Sequence, residues 1–334
     1  MNTYAAYYNN IIRDESSSGG VFSLIATQFD VVYGVAMTED CYGCKFIRCE
    51  NDISHLRGSK YFQASMGDTF INVRADLTEG KRVLFSGTGC QINGLQCFLQ
   101  RQYENLFLLD VVCHGVPSPK LWREYACFQE KQYGKLETVN FRCKEEFWKS
   151  FDVKENQLYI PMQRDFFMQV FLKNFCLRPS CYECHAKSYK LSDMTIADFW
   201  GIEEIESGMD DGKGASLIIT RTDKGQQVFD TVMDKLKWKK VSYEEGVKNN
   251  PLEFQSVSRP VQRKNFYIDL ELLGFAKLKR KYTDIINGPL WKRAVRKGKR
   301  VICQRLFARA GDNSHENTKS NMNYGLCLTF QSKL

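Results

Sequence analysis

Apolar positions along this chain follow two periods, and the switches between them mark out the elements. Tyr4 to Tyr8 is an apolar stretch, followed by the serine and glycine run Ser16 to Gly20. Val21 to Ala26 then has apolar residues at helical spacing, so the run stands where a helix begins. Val31 to Met37 reads as a strand, Gly67 to Leu77 as a helix and Val83 to Phe85 as a short buried strand. A turn at Gly87-Thr88-Gly89 leads through Cys90 into a helix to about Arg101. The plan repeats in Leu106 to Val112, a continuous apolar strand broken by Asp110, then Cys113-His114-Gly115, then a helix from about Pro119. After a strand expected over Thr138 to Arg142, Phe166 to Phe175 reads as a helix. It is closed by Pro179 within Cys176-Leu177-Arg178-Pro179-Ser180-Cys181-Tyr182-Glu183-Cys184. Asp193 to Phe199 and Ser216 to Thr220 read as strands and Lys224 to Leu236 as a helix.

Strands alternating with helices predict an α/β fold with a mixed or mostly parallel sheet flanked by helices. Two strands joined by a helix lie parallel, so their C-terminal ends open on one edge, where open α/β sheets bind ligands. Cys90 and Cys113 are thereby expected to be neighbours in space.

At 334 residues with 43% hydrophobic content, the chain can bury a sizeable core. No apolar run reaches the eighteen or so residues of a membrane span, and Met1 to Arg13 lacks the layout of a secretory signal. The expected location is the cytoplasm, where thirteen cysteines are poor candidates for a disulfide framework and better ones for metal binding. The net charge of +8 is concentrated: residues 277–309 hold twelve Lys or Arg against one acid, Asp284. This segment is either a solvated basic helix or a contact for an anionic surface. The polar residues 310–334 are expected to be disordered.

The sharpest constellation is Cys90, Cys113, Cys181 and Cys184, four thiols from three segments. Four thiolates suit an iron-sulfur cubane, structural zinc takes the same number, and buried free thiols are a third reading. Cys176 stands close enough in sequence to replace one of them. Cys41, Cys44 and Cys49 form a weaker group, since on a strand Cys41 and Cys44 fall on opposite faces. The run Ser17-Ser18-Gly19-Gly20 before a helix is a reasonable seat for phosphate, or an ordinary cap. Ser59, Lys60 and Tyr61 add a cation and an aromatic in a loop, and His114 stands beside a candidate ligand. That histidine is able to hydrogen-bond a cofactor or relay a proton, or is simply satisfied by backbone.

Taken in order, these pieces resemble a known family, the beta subunits of coenzyme F420 hydrogenase/dehydrogenase. The resemblance is carried by Ser16-Ser17-Ser18-Gly19-Gly20-Val21-Phe22-Ser23, Leu56-Arg57-Gly58-Ser59-Lys60-Tyr61 and Phe85-Ser86-Gly87-Thr88-Gly89-Cys90-Gln91-Ile92. It continues through Cys113-His114-Gly115-Val116-Pro117-Ser118, Arg178 to Cys184, and Ser192-Asp193-Met194-Thr195-Ile196-Ala197-Asp198-Phe199-Trp200-Gly201. Asp211-Gly212-Lys213-Gly214-Ala215-Ser216-Leu217, Asn250-Pro251 and Arg259-Pro260 complete it, so that it spans about residues 3–270.

The resemblance implies an oxidoreductase with FAD and a 4Fe-4S cluster, passing electrons between a reduced coenzyme such as F420 and a partner protein or ferredoxin. It puts the cluster on Cys90, Cys113, Cys181 and Cys184, and the flavin near Ser17 to Gly20, Ser59 to Tyr61 and Thr88. It implies a redox domain over 1–270, with halves of about 1–80 and 81–270, then a basic helical extension over 271–309 and the tail. There are three departures from the family pattern. No ferredoxin-like C-x-x-C-x-x-C segment precedes the serine motif, which implies an external electron carrier. Gly89 stands where the family has proline, and Cys41, Cys44 and Cys49 have no counterpart. Two other functions stay open: a zinc-stapled, non-catalytic module that binds anionic surfaces, and a member of the family reused in glycan biosynthesis.

Overall fold

The structure, a computed structural model, describes residues 1–145 and 148–288. The strands are β1 (Asn2–Tyr8), β2 (Val31–Met37), β3 (Cys44–Cys49), β4 (Val83–Thr88), β5 (Leu106–Val111), β6 (Val139–Cys143), β7 (Asp152–Glu155), β8 (Leu158–Pro161), β9 (Met194–Asp198), β10 (Ser216–Thr220) and β11 (Leu236–Val241). The helices are α1 (Val21–Ala26), α2 (Thr69–Thr78), α3 (Gly89–Leu99), α4 (Pro119–Tyr133), α5 (Phe166–Leu172), α6 (Ile202–Ile205), α7 (Asp223–Asp230), α8 (Tyr243–Val247), α9 (Gln262–Leu272) and α10 (Gly274–Asn287).

Among the described residues, eight strands form one sheet in the order β11-β1-β10-β9-β5-β4-β2-β3. Its centre is parallel, through the pairs β2 with β4, β4 with β5, and β5 with β9. Its margins are antiparallel: β3 flanks β2 on one side, and β10, β1 and β11 follow β9 on the other. The parallel strands are apolar without alternation because both faces are covered. Val83 and Phe85 pack with α2 and α3 around Val73, Ile92 and Leu95. Leu84, Phe107 and Leu109 pack on the opposite face with Leu24 and Ile25 of α1 and Phe229 of α7.

A second, antiparallel sheet, β6-β7-β8, packs its aromatic face with α4 and α5. Phe62 stacks on Trp122 at 5.0 Å, and Phe141 and Phe167 meet Trp122 edge-on at 5.0 and 5.1 Å. Both helices are capped: Ser118 Oγ accepts from Lys120 N, and Asp165 Oδ1 accepts from Met168 N. Residues Met1–Tyr282 form one compact unit, with a second from Thr283. Of the expected basic extension, Gly274–Asn287 is helical. The remainder to 309 and the expected disordered tail lie outside the described residues. No helix among the described residues is long and apolar enough to cross a membrane.

Several boundaries differ from the sequence reading. The strand at Val83 runs on to Thr88, and the helix starts at Gly89 with no intervening turn, because Thr88 N donates to Gln91 Oε1 at 2.8 Å and so begins the helix directly. The helix expected to reach Leu236 ends at Asp230, because Leu236 to Val241 pairs with β1 instead. The helix expected to reach Phe175 ends at Leu172, and Asn174, at φ 62°, turns the chain.

Candidate functional site

The C-terminal edge of the parallel strands collects the candidate cysteines. β4 and β5 are in register from Val83 opposite Leu106 to Thr88 opposite Val111. Each strand therefore delivers a cysteine two residues past its end, Cys90 in the first turn of α3 and Cys113 in the segment leading to α4. Gly89 allows this close turn, since a Cβ there would meet Ala186 at 3.2 Å and the Asp110 carboxylate at 3.3 Å. Cys181 and Cys184 arrive on a tight helical turn over Pro179–Glu183. That turn is pinned to the Cys113 segment: Arg178 N donates to Val116 O at 3.0 Å, and Val116 N donates to Cys181 Sγ at 3.4 Å.

Cys113 lies within electrostatic reach of Cys90 and Cys181, and Cys181 within reach of Cys90 and Cys184. Burial pushes the Cys113 thiol up to about 12, with Cys90 and Cys181 adding to the rise. Burial also raises Cys181, and Cys184 and Cys90 add to that rise. Lys187 supplies a counter-charge, its ammonium donating to Cys113 O at 2.5 Å and to Leu252 O. Cys184 N donates to Ser256 Oγ at 2.9 Å. Among the described residues no three His, Cys, Asp or Glu side chains are placed to hold a single metal ion. The four thiols share a neighbourhood more loosely than that.

The other cysteines sit elsewhere. Cys176 is fully buried, with Arg263 as its charged neighbour and its carbonyl accepting from Tyr267 Oη at 2.6 Å. Cys41, Cys44 and Cys49 do not converge. The Cys41 carbonyl accepts from Trp122 Nε1, Cys44 Sγ faces Phe62 O at 3.5 Å, and Cys49 is in the core beneath α1.

The serine run closes onto the Asp211 to Leu217 loop. Ser18 Oγ donates to Ala215 O at 2.7 Å, and Gly19 N donates to Ser216 Oγ at 3.1 Å. Arg13, fully buried, grips Asp211 with two nitrogens and Gly214 O with two more bonds. Gly20, at φ 78°, turns the chain into α1. The carbonyls of Ser17 and Ser18 accept from Trp148 Nε1 and Lys144 Nζ. Ser17 Oγ lies 2.9 Å from Ser59 Oγ, so the two loops that the sequence singled out meet.

Ser59 and Lys60 line a cleft of about 210 Å³ with Ser54, Arg57 and Asn140. Lys60 Nζ donates to the carbonyls of His55 and Arg57, and burial lowers its pKa to about 8. Tyr61 packs on Phe141 and Phe171 at 5.7 and 5.1 Å. His114 meets the same Phe171 edge-on at 4.8 Å, and its Nε2 is 2.7 Å from Asn174 Oδ1. Burial lowers the His114 pKa, which keeps the ring neutral at pH 7. Thr88 Oγ1 is 3.2 Å from Cys90 Sγ, next to the thiols. Sequence reasoning missed Arg142, Lys144 and Lys187, since a single charged residue carries no local pattern. Arg142 is buried, and its Nε and Nη2 have no partner among the described residues.

These features define an α/β protein that gathers thiols and polar loops along one rim of its sheet. Residues 80–245 match the family model for the C terminus of the coenzyme F420 hydrogenase/dehydrogenase beta subunit, and this segment belongs to that family. The matched segment contains all four rim cysteines. Among solved structures, a chain from a xenon-derivatised F420-reducing [NiFe] hydrogenase complex of Methanosarcina barkeri has a similar fold, with a TM-score of 0.52 at 16% identity. The likeness covers 76% of this chain and 87% of that one. No curated protein matches this chain.

Proposed function

We propose that this protein is an iron-sulfur flavoprotein oxidoreductase of the cytoplasm. Cys90, Cys113, Cys181 and Cys184 hold a 4Fe-4S cluster, and the loops at Ser17 to Gly20 and Ser59 to Tyr61 hold FAD. Electrons pass from a reduced coenzyme, F420 or another donor, to a partner protein such as a ferredoxin. The observation that carries this reading is the convergence of thiols from three segments at the C-terminal rim, with Lys187 beside them. A cubane spreads four thiolates over four irons, whereas zinc draws its sulfurs to about 2.3 Å from one ion.

When bound, the flavin exchanges electrons in pairs or singly and the cluster one at a time. The residues of the chain prepare the place. Burial leaves Cys113 protonated in the free protein, so iron binding releases its proton. Lys187 offsets the charge of the resulting thiolates, and the Val116 amide orients Cys181. Asn174 and Phe171 fix the His114 ring next to Tyr61, where neutral imidazole is able to donate or accept one hydrogen bond.

Anaerobic purification followed by iron, sulfide, zinc and flavin analysis, with visible and electron paramagnetic resonance spectra, tests the reading. The expected result is a brown protein with iron, sulfide and FAD. Cys113→Ser and Cys184→Ser should lose the cluster signal, and Cys176→Ala should keep it. Zinc without iron, and no flavin after reconstitution, would overturn the proposal and favour a zinc-stapled module.

A further inference from the structure

Arg142 stands on β6 and is 6% exposed. One end of its guanidinium is occupied: Nη1 donates to Asp198 Oδ2 at 2.6 Å and to Tyr61 Oη at 3.4 Å. Its position is set by aromatic rings, with Phe151 at 4.3 Å and Trp200 at 5.5 Å from the guanidinium carbon. Trp200 in turn stacks on Trp148 at 4.7 Å. The other edge, Nε with Nη2, is buried and has no partner among the described residues.

Those two nitrogens point N-H bonds the same way from one side of a planar group. This fork takes both oxygens of a carboxylate or phosphate at once. Buried donors are nearly always paired, and charged ones are the most costly to leave open. Asp198 engages the end of the guanidinium, and no described residue supplies an acceptor for the side. The surroundings connect Arg142 to the cleft: Tyr61 follows Lys60, and Asn140, whose Oδ1 accepts from Arg142 N at 2.9 Å, lines it.

We propose that the free edge of Arg142 is a clamp for a two-oxygen anionic group, a carboxylate or phosphate, on a small molecule bound beside Tyr61. The group belongs either to the nucleotide cofactor itself or to a separate anionic substrate. The clamp rests on the geometry of Arg142 and does not depend on the thiol cluster, so loss of one reading leaves the other standing.

Calorimetry on anaerobically purified protein distinguishes the sources, with FAD, riboflavin, inorganic pyrophosphate and glutarate as probes. The comparison is between wild type, Arg142→Gln and Arg142→Lys. The double variant R142Q/D198N guards against misfolding, since it leaves no unpaired buried charge. If the clamp holds the cofactor, FAD and pyrophosphate weaken at least tenfold in the variants and riboflavin does not. If it holds a separate substrate, FAD binding is unchanged and pyrophosphate or glutarate weakens by that factor. Arg142→Lys should also weaken binding, because an ammonium lacks the fork. Equal constants in wild type and every variant, or no probe binding wild type, would overturn the proposal.

Discussion

Glu155 offers a direct reading of burial as pH-dependent stability. It lies at the end of β7 and is 4% exposed, with Oε2 accepting from Gln129 Nε2 at 2.8 Å and Oε1 without a partner among the described residues. Burial raises its pKa from the ordinary 4.5 to about 7; Asp165 adds to the rise, while Gln129, Tyr125 and Lys279 oppose it. Between these two values the folded protein binds a proton that the unfolded chain does not, so stability falls as pH rises. At about 1.4 kcal/mol per pH unit, the loss approaches ~3 kcal/mol by pH 8. Glu155→Gln keeps the shape and removes the titration. Urea unfolding from about pH 4 to pH 8 should therefore show the variant matching wild type at the acid end. It should exceed wild type by roughly 3 kcal/mol at pH 8. Parallel stability curves for the two proteins would refute the argument, because they would mean that Glu155 ionises as freely folded as unfolded.

Gly19→Ala should destabilise the protein by about 2–4 kcal/mol through overpacking and a lost hydrogen bond. A Cβ there would lie 2.6 Å from Ala6 O and 2.8 Å from Ser216 N, backbone atoms of adjacent paired strands. Thermal melting checks this, and an unchanged midpoint would contradict it. Asp76→Asn should cost about 2–3 kcal/mol in urea unfolding at pH 7, since the carboxylate accepts two bonds from Arg48, one from Lys81 and one from Tyr33. Arg48 holds the Asp76 carboxyl well below the usual range. Its contribution is therefore complete above about pH 5 and lost only in stronger acid; a variant as stable as wild type at pH 7 would count against the network.

Much of the parallel centre was legible because its signal is local. Val83 to Phe85 and Leu106 to Leu109 are unbroken apolar runs, as strands buried on both faces must be, and the helix between them requires a parallel crossover. The margins were less legible. Leu236 to Val241, Leu-Lys-Trp-Lys-Lys-Val, is an edge strand with four of its six residues exposed, so neither face supplies an apolar pattern. The strands β7 and β8 were hidden for a similar reason, being short and only partly buried.

The candidate site divides the same way. Spacing along the chain indicated that Cys90 and Cys113 end adjacent parallel strands, and a motif of nine residues brought Cys181 and Cys184 together. Sequence alone determined the fold class, through periodicity, and pointed to the family, through motifs of residues close along the chain. Tertiary structure decided that the Ser17 and Ser59 loops touch, that Lys187 faces the Cys113 carbonyl, and that Cys176 is apart in the core. It also left Arg142 with one edge paired and the other open among the described residues. Contacts of this kind join residues tens of positions apart, and burial or an unpaired donor is a property of everything packed around a group, which no local pattern encodes.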